Sequence, residues 1–94
     1  MFTLVAYDIS KDKDRTKLSK ALENSGLKRI QYSAFSGELN PHDRHVLSQN
    51  IKQYVTQEND SIYLIPLCER CKRVCEIISK KDSALVDGRK VQVV

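Results

Sequence analysis

The sequence predicts a single α+β domain in which two strand–helix–strand units share one mainly antiparallel sheet, with both helices on the same face. Three observations predict it. The stretches FTLVAYDI at residues 2–9 and SIYLIPL at residues 61–67 have the length and the β-branched and aromatic content of strands. Two segments of helical spacing lie between them, each with its own start or stop signal. A β-rich stretch around residues 30–35 separates those helices.

In the first strand Phe2, Leu4, Ala6 and Asp8 share one face, and Thr3, Val5, Tyr7 and Ile9 share the other. Ser10 or Asp12 is placed to cap the next helix, and Asp14 adds negative charge to its first turn. Leu18, Ala21, Leu22 and Ser25 form the apolar stripe, and Gly26 suits a left-handed C-terminal cap. Residues 27–39, LKRIQYSAFSGEL, read as two short strands or one bent strand. Their alternation runs from Ile30 to Ala34 and slips at Phe35, as at a bulge or tight turn. Asn40 followed by Pro41 is a cap residue with proline at the first helical position. Val46, Leu47, Ile51, Tyr54 and Val55 are expected along one side of that second helix, with residues 57–60 as its polar exit. Pro66 places the strand at 61–67 on an edge, or ends it there. Residues 67–81 read equally as a short helix or irregular structure. The Asp87-Gly88 pair marks a turn, and KVQVV reads as a last short strand. The whole is the ferredoxin-like βαββαβ sandwich with an extra C-terminal strand, one domain over residues 1–94. Its helix-free face needs cover, which a second protomer supplies, and residues 79–94 are expected to extend a sheet edge or contact a partner.

Hydrophobic residues make up 40% and charged ones 30%, the balance of a soluble globular protein. No stretch reaches the ~18 apolar residues of a membrane span. The first residues have no basic leader, so a signal peptide is not expected and the cytoplasm is. Sixteen Lys and Arg against twelve Asp and Glu leave a net charge of +4. That surplus favours a polyanionic partner without naming it.

Three constellations carry chemistry. Asp8 ends an apolar strand, where an unpaired ionised carboxylate is costly if buried. It is therefore expected to be protonated, paired, hydrogen-bonded or metal-bound; periodicity alone favours hydrogen bonds from the following loop. A hard cation such as magnesium, or manganese in its place, is the functional alternative. Cys68, Cys71 and Cys75 (C-x2-C-x3-C) with His42 and His45 (H-x2-H) raise zinc as a minor reading. The histidines come first and on a helix start, and the cysteines equally suit one apolar helix face. Lys11, Lys13, Arg15, Lys17 and Arg29 gather after Asp8. They solvate helix faces in the ordinary reading and contact phosphates in the functional one, where the guanidiniums of Arg15 and Arg29 are favoured. Tyr7, Tyr32 and Phe35 pack in the core or stack on bases.

The strand-end YDIS followed by KDKDRTKL, then GLKRIQYSAFSGEL and NDSIYLIPLC, resembles the CRISPR-associated protein 2 family over residues 2 to about 78. The resemblance implies a homodimer of ferredoxin-like subunits in which a terminal strand joins the partner's sheet. It also implies a metal-dependent endonuclease acting on single-stranded RNA or duplex DNA, and a bridge to the CRISPR-associated integrase during spacer acquisition. Asp8 matches the family's metal-binding aspartate, facing its symmetry mate. Arg15, Arg29 and Phe35 fall on positions linked to nuclease activity, with Ser33 close to the site. Lys17 stands where some members carry arginine, and the C-x2-C also occurs in relatives without implying zinc. Two other readings are carried alongside: a non-catalytic DNA-binding scaffold of the integrase complex, and a stand-alone ribonuclease toxin of similar fold.

Overall fold

The computed structural model describes residues 1–76 and 78, together with the backbone of Ala84–Val86 and Arg89–Lys90. Along the chain run β1 (Phe2–Asp8), α1 (Asp12–Asn24), β2 (Lys28–Gln31), β3 (Ala34–Glu38), α2 (Pro41–Ile51), a 3₁₀ turn (Lys52–Tyr54), β4 (Ser61–Leu67), α3 (Glu69–Val74), β5 (Ala84–Val86) and β6 (Arg89–Lys90). The main sheet has the order β2-β3-β1-β4, and all three of its pairings are antiparallel. The parallel strands β1 and β2 of the first strand–helix–strand unit are thus split by β3. This is the predicted ferredoxin-like order. β5 and β6 form a separate antiparallel pair that flanks Asp87-Gly88. The predicted turn at that pair and residues 91–94 of the predicted last strand lie outside the described residues.

Alternation along β1 decides where the core sits. Val5, Tyr7 and Ile9 point to the helices and are buried with Leu18 and Leu22 of α1, Leu47 and Ile51 of α2, Phe35, Leu27 and Leu39. Fully burying such side chains stabilises the fold by about 1.5–3 kcal/mol each. The opposite face is largely open. The registers align Tyr63, Ala6 and Ala34 in one row, and Ile65, Leu4 and Ser36 in the next. Tyr63 is 58% and Ile65 41% exposed. On this face the start of β1 is covered, where the Lys72 ammonium of α3 sits 5.0 Å from the Phe2 ring centroid, and Ser36 of β3 is buried as well.

Local signals hold where they are self-contained. Asn40 caps α2 by accepting from the Asp43 N–H at 2.7 Å, with Pro41 beginning the helix. Gly26 closes α1 at φ 90°, the left-handed region that glycine reaches without steric cost. β4 lies on the sheet edge, as Pro66 requires. Gly37 serves close packing, since a Cβ there would stand 2.8 Å from Leu27 Cδ2.

Three expectations are corrected. Neither Ser10 nor Asp12 caps α1: Lys11 holds the cap position without a side-chain bond, and Asp12 is the first helical residue. The Ser10 hydroxyl donates instead to Asp60 at 2.9 Å. Val46 and Val55 leave the apolar side of the second helix and are exposed; for Val55 the cause is the tightening to 3₁₀ at Lys52, which shifts the phase of the residues after it. Between β2 and β3 the break is not at Phe35. A register shift falls between Arg29 and Gln31, and the turn is at Tyr32 and Ser33.

Candidate functional site

β1 ends where two loops converge, and Asp60 holds them together. Its carboxylate accepts from the Ser10 N–H at 2.9 Å, the Ser10 hydroxyl, the Gln57 N–H at 3.0 Å and the Thr56 N–H at 3.2 Å. The Ser10 N–H, then those of Gln57 and Thr56 and the Ser10 hydroxyl, favour the charged form. They hold the carboxyl below its ordinary range against the opposing effect of burial. The loop after β1 thus directs its hydrogen bonds to Asp60, which the sequence did not single out.

Asp8 is left otherwise. It is exposed rather than buried, belongs to the open face, and lies opposite Ser61 in the β1–β4 register. Among the described residues no hydrogen bond or ion pair reaches its carboxylate. The expectation of loop hydrogen bonds to Asp8 is therefore not met, since Ser10 serves Asp60. Asp8 is a hard oxygen donor that none of the described residues engages.

Arg15 and Arg29 meet on the other side of the sheet's end. With Tyr7, Asp12, Thr16, Ser19 and Tyr32 they line a groove of about 660 Å³ between α1 and the β2–β3 turn. Both guanidiniums are held from below. Arg15 donates through Nη1 to the Ile9 carbonyl at 3.1 Å and the Ser10 carbonyl at 3.4 Å, and its Nη2 pairs with the Asp12 carboxylate. Arg29 donates to the Tyr32 carbonyl and lies 4.8 Å from the Phe35 ring centroid. Phe35 is fully buried and stacks on Tyr7 with centroids 6.4 Å apart. Its position is that of a platform beneath Arg29. Ser33 is half-buried, and its carbonyl accepts from the Tyr7 N–H at 3.0 Å. Five donors per guanidinium exceed these contacts, so each arginine is fixed in place with N–H groups to spare.

The predicted set thus divides. Arg15 and Arg29 come together, Ser33 and Phe35 support them, and Asp8 stands on the opposite face and outside the groove lining. Lys11, Lys13 and Lys17 are exposed around the start of α1 without lining the groove. Cys68 caps α3, its sulfur accepting from the Cys71 N–H at 3.4 Å. That bond lowers the Cys68 thiol pKa, while the neighbouring Cys68 sulfur raises that of Cys71. His45 instead lines a recess of about 250 Å³ with Pro41, Arg44, Ser48, Leu64 and Pro66. Among the described residues no three His, Cys, Asp or Glu side chains are grouped so as to hold a metal ion. No helix among them is long and apolar enough to cross a membrane.

Fold and site together define a small ferredoxin-like protein with a guanidinium-lined groove and, at the end of its central strand, a carboxylate without a partner among the described residues. The family described as CRISPR associated protein Cas2 matches residues 1–75, and the chain belongs to it. It is 48% identical over 94 residues, the full length of both chains, to a CRISPR-associated endoribonuclease Cas2 1 of Archaeoglobus fulgidus. It is 41% identical to a protein of the same description from Methanospirillum hungatei, covering 72% of each chain. In fold it is similar to the crystal structure of Streptococcus pyogenes Cas2 at pH 6.5, with TM-score 0.66 and 23% identity over 82% of this chain and 98% of the other. A hypothetical protein of Thermus thermophilus gives TM-score 0.64 and 22% identity, covering 95% and 92%.

Proposed function

We propose that this chain is a homodimeric, metal-dependent endonuclease of CRISPR adaptation. It acts in the cytoplasm, cleaves phosphodiester bonds of single-stranded RNA or duplex DNA, and bridges the CRISPR-associated integrase as spacers are acquired. The observation that carries this reading is Asp8, an exposed carboxylate with no hydrogen bond or ion pair among the described residues, on a sheet face where Tyr63 and Ile65 are exposed. A two-fold partner seated on that face would cover Tyr63 and Ile65 and bring a second Asp8 near the first. Among the described residues one chain groups no three donors for a metal, whereas two chains offer a carboxylate pair. Magnesium fits such a set because it takes oxygen donors and keeps several of its waters; manganese shares that preference. When bound, the ion supplies charge neutralisation at phosphate and an acidified water. Arg15 and Arg29 hold the nucleic-acid backbone through their unspent N–H groups, and Lys11, Lys13 and Lys17 add diffuse attraction. The descriptions of the Archaeoglobus and Methanospirillum relatives as endoribonucleases support the nuclease part.

The test compares wild type with Asp8→Ala on end-labelled single-stranded RNA and duplex DNA, with magnesium and with a chelator. Mass is followed by sedimentation in the same samples. Asp8→Ala and chelation should each lower cleavage at least about 100-fold, the several kcal/mol a metal contributes. Both proteins should sediment as two chains. Undiminished cleavage by purified Asp8→Ala would end the catalytic reading. A non-catalytic DNA scaffold is the second reading, favoured by the outer edge of β4, which no described strand pairs and which suits a partner's added strand. Spacer acquisition that survives Asp8→Ala but fails on deletion of residues 90–94 would select it.

A further inference from the structure

The groove between α1 and the β2–β3 turn contains more than phosphate-binding groups. Of its two aromatic rings, Tyr7 is 7% exposed and committed to Phe35. Tyr32 is 76% exposed, at the tip of a two-residue turn. An aromatic ring in that position gives up the stabilisation that burial would bring it. Its backbone is nonetheless tied into the site, because the Tyr32 carbonyl accepts the Arg29 guanidinium. Tyr63 is exposed as well, but it lies on the apolar sheet face that a partner would cover.

Charge and volume point the same way. The Asp12 carboxylate remains paired with Arg15, so the groove is less cationic than two arginines alone would make it. A neutral contact would therefore add to what phosphate binding supplies there. The volume of about 660 Å³ is within the ~300–1,000 Å³ of clefts that enclose small organic ligands. The Thr16 and Ser19 hydroxyls donate to carbonyls of their own helix, Thr16 to Asp12 at 2.9 Å and Ser19 to Thr16 at 3.0 Å. Their oxygen lone pairs are left to accept from a base edge.

We infer that this groove is a nucleobase-binding site, in which the Tyr32 ring stacks on one unpaired base of a strand whose phosphate meets Arg15 and Arg29. The inference rests on the nucleic-acid binding proposed above but not on Asp8 or on cleavage. Within a duplex both faces of each interior base are already stacked, so the site selects single-stranded segments. It does so with little preference among bases, since each presents a π-face.

The test is binding in the presence of a chelator, so that cleavage does not intervene. The probe is a short single-stranded RNA carrying one 2-aminopurine, beside a blunt DNA duplex. Wild type should quench the 2-aminopurine emission on binding. Tyr32→Ala should abolish the quench and weaken single-strand binding about tenfold, with at least a fivefold smaller loss on the duplex. Tyr32→Phe should bind within twofold of wild type. Tyr32→Leu replaces Tyr32→Ala if thermal melting shows the latter unfolded. Retention of quench and affinity by both ring-less variants overturns the inference while leaving the proposed nuclease intact. Normal cleavage by Asp8→Ala overturns the nuclease while leaving this site intact. Wild type that binds neither probe overturns this inference together with the nucleic-acid binding on which it rests.

Discussion

Phe35 is the position at which stability and activity can be separated. Replacing it with alanine removes a fully buried ring against which Tyr7 stacks and over which the Arg29 guanidinium lies at 4.8 Å. Removing a buried phenyl group costs about 3–5 kcal/mol, and the exposed cation–π contact adds roughly 0.5–1 kcal/mol. The sum, roughly 4–6 kcal/mol, is a large part of the ~5–15 kcal/mol that holds a small domain folded. For a urea dependence of about 1–3 kcal/mol per molar, the unfolding midpoint should fall by roughly 1–6 M. Equilibrium urea unfolding at fixed protein concentration measures it. Phe35→Leu keeps most of the volume and should cost under about 1.5 kcal/mol. It still removes the ring beneath Arg29, so its cleavage rate reports the platform without global unfolding. A Phe35→Ala protein unfolding at the wild-type midpoint would refute the reasoning, as would a Phe35→Leu protein as unstable as the alanine variant.

Two further outcomes concern the Asp60 carboxylate and the backbone at Gly26. Asp60 has a folded-state pKa below its unfolded one, so its contribution is present above the unfolded value and is lost as pH falls through the folded one. Asp60→Asn should therefore be less stable than wild type at neutral pH and approach it in acid, as seen in urea midpoints between about pH 7 and pH 3. Gly26→Ala should cost about 1–2 kcal/mol from the left-handed backbone alone, because nothing lies within 4 Å of the added Cβ. Thermal melting should show Gly26→Asn less affected than Gly26→Ala.

What the sequence disclosed depended on how local each cause is. Asn40 and Pro41 carry their helix start within four residues, and Gly26 and Pro66 act through their own backbones, so these features were legible. Asp60 was not, since one of its partners lies fifty positions away at Ser10. The Ser10 hydroxyl reads as a helix cap until that partner is known. Val55 departs from the periodic pattern because one 3₁₀ turn changes the phase of a helix without a sequence marker. Arg15 and Arg29 were legible as residues, but the groove they share arises only when α1 packs beside the β2–β3 turn. Asp8 stands out in the sequence as an anomaly. Its isolation appears only once its neighbours' hydrogen bonds are accounted for.

The sheet order also governs how the chain can be made. β1 is central, yet one of its flanking strands, β4, is supplied some fifty residues later, with Asp8 opposite Ser61 and Tyr7 opposite Ile62. At ribosomal rates of about 5–20 residues per second, roughly 3–10 s pass before that edge of β1 can be closed. During that interval β1 carries an unpaired apolar edge, while β2 and β3 can already close into a hairpin. Completion of the sheet and formation of the Asp60 junction therefore coincide, both waiting for the chain to emerge past Ser61.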